Sequence, residues 1–274
     1  MIMKSFFYIG PPGTGKTESL IRKVEDKMRE GIDPEEIAYI SFTNIAADEA
    51  KNRAIKTFPD IPEKKFVNFK TLHSLCYAHV PELRDNTMTD ADYVSMGKMI
   101  PVNWQDFRNG VVWEAPTDKE GNLNTSNPYL RAIQIATVKK IPVLEYFESQ
   151  KMDYSIKRSI LKKVDEEYIR YKQENNLFDY NDFLKKFCEL PAGLTPQFKI
   201  LIVDECQDLS AIQWDCIRKM MDESGLEEVY FAGDDDQAIY EWAGADVKQF
   251  RGLVHECDKV IDCLLYTSDA ADEV

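Results

Sequence analysis

The sequence has no long apolar run, no closely paired cysteines and no excess of basic residues. No stretch approaches 18 consecutive apolar residues, and the apolar run near the start is too short for the core of a signal peptide. The six cysteines form no Cys-x-x-Cys pair and have no histidine at metal-ligand spacing, which argues against a disulfide framework or a zinc site. Twelve Gly and twelve Pro among 274 residues are too few for a low-complexity chain. We therefore expect a folded intracellular protein with no membrane partner.

Acidic residues outnumber basic ones, but the balance reverses in one segment. The chain has 48 Asp and Glu against 34 Lys and Arg, a net charge of −14 that argues against a surface covered with nucleic-acid-binding charge. Residues 131–163 nevertheless contain eight basic and three acidic side chains. This segment is either a DNA-facing surface or a solvated helix face, and the sequence favours neither.

A phosphate-binding loop follows the first predicted strand. Residues 10–17 match the pattern G-x-x-x-x-G-K-[ST] at every position, after an apolar strand at residues 5–9 and before an amphipathic helix pattern. In such loops the backbone amides and the helix N-terminus hold phosphate oxygens, the lysine reaches the β- and γ-phosphates, and the final hydroxyl binds Mg²⁺. The alternative is an ordinary glycine turn that happens to precede Lys-Thr, but such a turn would not require a strand before it and a helix after it. The candidate nucleotide-binding residues are Gly10, Pro11, Pro12, Gly13, Thr14, Gly15, Lys16 and Thr17.

Two further predicted strands end in acidic residues. The run at residues 198–203 ends in Asp204 and Glu205, which are placed to bind Mg²⁺ and to polarise the attacking water, respectively. By itself this pair could equally be a polar turn. The strand at residues 228–232 is followed by Gly233, three aspartates and Gln237, and this glutamine is placed to sense the γ-phosphate. The candidate catalytic residues are thus Lys16, Glu205 and Gln237.

Six ordered motifs together resemble the UvrD/Rep/PcrA-like group of superfamily 1 DNA helicases. The motif at residues 233–245, which follows the strand at 228–232, separates this group from other P-loop ATPases. The motifs occupy residues 10–17, 40–50, 71–76, 178–184, 203–208 and 233–245.

The resemblance implies a DNA helicase that uses ATP and Mg²⁺ to move along single-stranded DNA, commonly 3′ to 5′, with single/double-strand junctions as further partners. It implies that Phe42 and Trp242 stack on bases, although Phe42 could instead be plain core and Trp242 could anchor the helix that follows. His73 could likewise be an ordinary turn residue. The other DNA-binding positions implied by the motifs are Thr43, Asn44, Thr71, His73, Ser74 and Tyr240.

Three departures from the family pattern concern the adenine and the DNA path. The family usually has a glutamine motif that reads adenine some twenty residues before the glycine loop, but only nine residues precede Gly10 and none is Gln, so the sequence gives no argument for adenine selectivity. Ile45 stands where the family often has Lys, and Ala243 stands where it often has Arg. Both changes remove positive charge near the expected DNA path.

The resemblance implies an α/β fold of the RecA-like P-loop NTPase type, with a parallel sheet, helices on both faces and an inserted, mainly helical subdomain. We expect the first motor domain at residues 1–82 and 196–262 and the insertion at 83–195, with an amphipathic helix at 153–175. The oligomeric state is left open. We expect a cytoplasmic location, in a bacterial cell or a phage-infected host.

The last twelve residues, 263–274, resemble the in-frame translation of a sequencing adapter. We therefore expect a non-native tail, a native gene that continues past residue 262 and a second motor domain in cis that this sequence lacks. Such a fragment should be nearly inactive by itself. Two other functions stay open: the ATPase part of a nuclease-helicase, and a non-catalytic nucleotide-binding module that docks a partner.

Overall fold

The computed structural model describes residues 3–100, 113, 115–118, 123, 125–149, 156–234 and 244–263. The chain divides into two compact units, each described here by itself. One unit comprises the described residues of 1–75 and 190–274, and the other comprises those of 76–189. The chain crosses between the units twice. The first crossing lies within α3 (Leu72–His79), and the second lies directly after α8 (Tyr180–Glu189).

The first unit is built on a six-stranded sheet in the order β3-β2-β4-β5-β1-β6, with every pair parallel. The central strands are rich in β-branched and aromatic residues and are buried along their length, as parallel strands covered on both faces must be. The strands are β1 (Lys4–Ile9), β2 (Ile37–Ser41), β3 (Phe69–Thr71), β4 (Ile200–Val203), β5 (Glu228–Gly233) and β6 (Lys259–Asp262).

Helices cover both faces of this sheet. On one face, Tyr8, Tyr39 and Ile202 pack in a common core with the apolar sides of α1 (Lys16–Arg29) and α2 (Asn44–Thr57). On the other face, Phe7 contacts Phe250 of α10 (Val247–Glu256) with ring centroids 5.6 Å apart. Trp214 of α9 (Ala211–Glu223) packs 6.4 Å from Phe231. The expected α/β architecture is therefore confirmed.

The second unit is helical and has its own apolar core. In its described residues it also contains α4 (Asp90–Met99), α5 (Pro128–Val138), α6 (Val143–Ser149) and α7 (Arg158–Asn175). Between α7 and α8, Lys172 pairs with Asp179 at 2.6 Å and with Asp182 at 2.5 Å, and the Tyr168 hydroxyl donates to Asp179. Breaking a buried pair of this kind leaves an uncompensated charge, so the network fixes how α7 and α8 meet.

Two expected boundaries can be compared with the structure. The helix expected at 153–175 begins only at Arg158, because Ile156 and Lys157 are described and are not helical. Of the apolar side that the pattern predicted, Ile160, Val164, Tyr168 and Tyr171 are buried, whereas Ile156 precedes the helix and is half-buried. Cys263, the first residue of the suspected tail, is only 5% exposed and packs in the core beside Tyr8. Residues 264–274 lie outside the described residues. Among the helices that the structure describes, none is long and apolar enough to cross a membrane.

Replacing Phe250 should destabilise the sheet unit strongly. Phe250 is fully buried, and its ring packs against Phe7 and lies next to Gly233. We expect Phe250→Ala to lower the free energy of unfolding by about 3–5 kcal/mol, because it removes a large core side chain and leaves a cavity. Urea denaturation followed by circular dichroism measures the change, with Val260→Ala at a 45% exposed position as the control. A loss below about 1 kcal/mol would contradict this packing.

Candidate functional site

The candidate site lies where four neighbouring strands end. Because all pairs in the sheet are parallel, the carboxyl ends of β1, β2, β4 and β5 share one edge. Ligands of open α/β sheets bind at this edge, where the loops after the strands face a common crevice. The glycine loop follows β1, and the acidic residues follow β4 and β5.

The loop after β1 has the backbone shape that a phosphate cradle requires. Gly13 and Gly15 have φ angles of 77° and 81°, a region that side-chain-bearing residues seldom adopt, and α1 begins directly after Gly15. Lys16 is 8% exposed, and its ammonium donates to the carbonyls of Gly10 at 2.5 Å and Pro11 at 3.0 Å. The loop therefore carries a buried positive charge beside the N-terminus of a 14-residue helix.

One hydrogen bond joins this loop to the acidic end of β4. The Thr17 hydroxyl donates to Oδ2 of Asp204 at 2.9 Å, and the Tyr39 hydroxyl donates to the same oxygen at 3.1 Å. The other carboxylate oxygen accepts from the backbone N–H of Glu205 at 3.0 Å. Residues 187 positions apart in the sequence thus meet at one oxygen atom.

The charge of Asp204 is buried, and the described part of the chain supplies no basic partner for it. Asp204 is 3% exposed; burial, and secondly the charge of Glu205, raise the pKa of its carboxyl. Burial and the charge of Asp204 also raise the pKa of Tyr39, so its hydroxyl stays protonated. No lysine or arginine in the described ranges forms an ion pair with Asp204. A hydroxyl and a carboxylate oxygen that lie together, with excess negative charge, fit a hard divalent cation such as Mg²⁺.

Glu205 is held in an unusual backbone conformation. Its φ of 56° lies in the left-handed region, which costs a residue with a side chain about 1–3 kcal/mol. The Gln207 amide donates to Oε2 of Glu205 at 2.7 Å, and its carbonyl oxygen accepts from the backbone N–H of Asp234 at 3.2 Å. Gln207 therefore connects the acidic residues after β4 to the end of β5. In the same turn, burial and the charge of Glu205 raise the pKa of Asp208 to about 7.

A cavity of about 500 Å³ adjoins the glycine loop. Gly13, Thr14 and Gly15 line it together with Tyr8 and Ile261. Charged side chains complete the wall, among them Glu18, Arg22, Lys23 and Asp26. The cavity is large enough for the sugar and base of a nucleotide whose phosphates occupy the loop.

The residues expected at the DNA differ in exposure. Phe42 is 43% exposed, which contradicts the alternative that it is plain core. Thr43 caps α2, with its hydroxyl accepting from the N–H of Ala46 at 3.3 Å, and Asn44 is the first residue of that helix. Ile45 is 82% exposed.

Thr71 and His73 are buried, with exposed fractions of 2% and 5%. The Thr71 side chain accepts from the N–H of Ser74 at 3.2 Å and lies 3.1 Å from its hydroxyl. Thr71 therefore fixes the first turn of α3, which carries Ser74. The predictions for Gln237, Tyr240, Trp242 and Ala243 lie outside the described residues.

Two residues of the site were not predicted from the sequence. Tyr39 has the pattern of a core residue in a buried strand, and only the fold shows that its hydroxyl reaches Asp204. Gln207 stands inside a recognised motif, but its link to Asp234 depends on the pairing of β4 with β5. The one signal for Gln207 in the sequence was its position inside the motif at residues 203–208.

Comparison with known proteins agrees with this geometry. A family profile described as the UvrD/REP helicase N-terminal domain matches residues 3–258. The ATP-dependent DNA helicase Rep of Buchnera aphidicola is 27% identical over 253 residues, which cover 85% of this chain and 36% of that protein. The ATP-dependent DNA helicase PcrA of Staphylococcus aureus is 26% identical over 247 residues, which cover 86% of this chain and 32% of that protein.

The chain spans about a third of the length of these two relatives. The family profile covers nearly all of the residues from which the sheet, the glycine loop and the acidic strand ends are built. The chain therefore belongs to the UvrD/REP helicase N-terminal domain family.

Proposed function

We propose that this chain is the ATP-binding part of a DNA helicase that moves along single-stranded DNA, 3′ to 5′. The observation that carries the proposal is the 2.9 Å hydrogen bond from Thr17 to Asp204, which brings the phosphate loop and the acidic strand end into one site. The names of the relatives, both ATP-dependent DNA helicases, support the same function.

The nucleotide would bind with its phosphates in the loop at residues 10–17. Lys16 would exchange its two carbonyl contacts for the β- and γ-phosphates, since charge-assisted hydrogen bonds to phosphate are the stronger ones. The base and sugar would occupy the adjoining cavity. Thr17 and Asp204 would hold Mg²⁺, which supplies charge neutralisation for the phosphoryl group.

Glu205 would orient and deprotonate the attacking water. The amide of Gln207 fixes its carboxylate, and the same amide group contacts the end of β5, after which Gln237 follows in the sequence. Gln237 would sense the γ-phosphate. A conformational change at the γ-phosphate would thereby reach the ends of β4 and β5 through the side chain of Gln207.

Single-stranded DNA would bind beside the N-terminus of α2. Phe42 supplies an exposed aromatic face for a base, and stacking of this kind tolerates every sequence. Thr43, Asn44 and Ser74 would contact the backbone, Thr71 and His73 would support that surface, and Tyr240 and Trp242 would add a second stacking position. The exposed basic side chains of residues 157–163 would face a single/double-strand junction, although Arg158 and Lys162 already pair with Glu148 and Glu166.

We also propose that the sheet unit is the first motor domain and the helical unit its insertion. Hydrolysis and unwinding by the whole protein would require a second motor domain. The relatives, which are about three times as long as the matched part, have room for one. Motors of this kind use closure of two domains on the nucleotide.

Lys16→Ala should weaken binding of MgATP by at least roughly tenfold, because hydrogen bonds to charged groups contribute about 1.5–3 kcal/mol each. Isothermal titration calorimetry on the 274-residue chain measures the affinity. The matched control is Lys199→Ala, which removes a half-buried lysine that pairs with Glu36 near the amino end of β4. Equal affinities of Lys16→Ala and the parent chain would reject the nucleotide site.

Phe42→Ala should weaken single-stranded DNA binding by ~1–3 kcal/mol, with little dependence on base sequence. Fluorescence anisotropy with labelled oligonucleotides of two unrelated sequences measures the loss. Leu194→Ala, at another exposed apolar position of the sheet unit, should have no effect. The stacking role is wrong if Phe42→Ala binds DNA with the same affinity as the parent chain and both chains also have the same MgATP affinity.

A further inference from the structure

Ser41, the last residue of β2, carries a buried hydroxyl with no partner among the residues that the structure describes. The residue is 3% exposed, and its Oγ accepts and donates no hydrogen bond within the part of the chain that the structure describes. Buried polar groups in native proteins are nearly always paired with protein or with ordered water. An alanine would pack equally well at this position, so packing alone does not explain why the residue carries a hydroxyl.

The strand geometry directs this hydroxyl towards the edge that carries the candidate cation site. Side chains alternate along a strand, so Ser41 lies on the same face as Tyr39, whose hydroxyl donates to Asp204. The intervening Ile40 accepts from the backbone N–H of Asp204 at 2.8 Å. Helix α1, which begins with Lys16 and Thr17, covers this face.

We propose that Ser41 is a positioning residue for Mg²⁺, and that its hydroxyl hydrogen-bonds a water molecule in the coordination shell of the ion. This proposal rests on the proposed function. Mg²⁺ gives up its waters reluctantly and is held by few protein ligands, so most of its shell is water that the surrounding protein must orient. Thr17 and Asp204 are the only two protein ligands proposed for it. A serine hydroxyl both donates and accepts, so it can serve such a water in either orientation.

A purely structural serine is the competing explanation, and the chain contains a matched example. Ser224 is 1% exposed and its Oγ is likewise without a partner among the described residues. It follows α9, and its carbonyl accepts from the N–H of Phe198, which precedes β4. Ser224 therefore has the same burial and the same unmet hydroxyl, but it lies near the amino end of β4, away from the candidate site.

The test is the Mg²⁺ dependence of ATP affinity in Ser41→Ala, Ser41→Thr and Ser224→Ala, measured by calorimetry on the full chain over a series of Mg²⁺ concentrations and in EDTA. We expect Ser41→Ala to raise the Mg²⁺ concentration for half-maximal effect roughly three- to tenfold, as loss of one hydrogen bond would. Its affinity in EDTA should equal that of the parent. Ser41→Thr should restore the parent response, and Ser224→Ala should not change it.

Melting temperatures without ligand separate this role from a structural one. Neither alanine variant should melt below the parent, because each removes a buried hydroxyl that no described residue contacts by a hydrogen bond. If Ser41→Ala does not fold, Ser41→Cys keeps the volume with a much weaker hydrogen-bonding group and should show the same loss of Mg²⁺ response. An unchanged Mg²⁺ response in the folded Ser41 variants overturns the proposal while the function stands. A parent chain without Mg²⁺-dependent ATP binding overturns both.

Discussion

The buried carboxylate of Asp204 is the constraint on which the rest of the site depends. A negative charge at 3% exposure is costly unless donors or cations surround it, and here two hydroxyls and one backbone N–H do so in part. Those donors come from α1, from β2 and from the turn after β4. To satisfy one side chain, the fold must therefore bring the glycine loop, a central strand and the acidic turn to one edge of the sheet.

The same requirement explains the strained turn that follows. Glu205 adopts left-handed backbone geometry directly after the buried aspartate, and Gln207 holds its carboxylate while contacting Asp234. Strain of this kind persists only where surrounding contacts over-determine the conformation. The ends of β4 and β5 are thus coupled through one amide group. A nucleotide-dependent motor can use such a link to pass a change at the phosphate to the residues after β5.

Much of this arrangement could be predicted from the sequence, because the spacing within a motif fixes local geometry. The glycine loop, Lys16, Thr17, Asp204 and Glu205 follow from short patterns next to apolar strands. The parallel sheet with an inserted helical part follows from the resemblance that the six ordered motifs carry. Contacts that depend on strand order could not be predicted. Tyr39 and Gln207 make contacts between strands that are far apart in the sequence.

The Mg²⁺ dependence of ATP affinity in Asp204→Asn tests the central claim most directly. Calorimetry on the full chain would compare this variant with the parent and with Asp258→Asn, whose carboxylate contacts Ser5 instead. We predict that the parent and Asp258→Asn bind ATP more tightly with Mg²⁺ than in EDTA, and that Asp204→Asn loses most of that difference because the ion loses its charged ligand. The same Mg²⁺ response in all three chains would contradict the account.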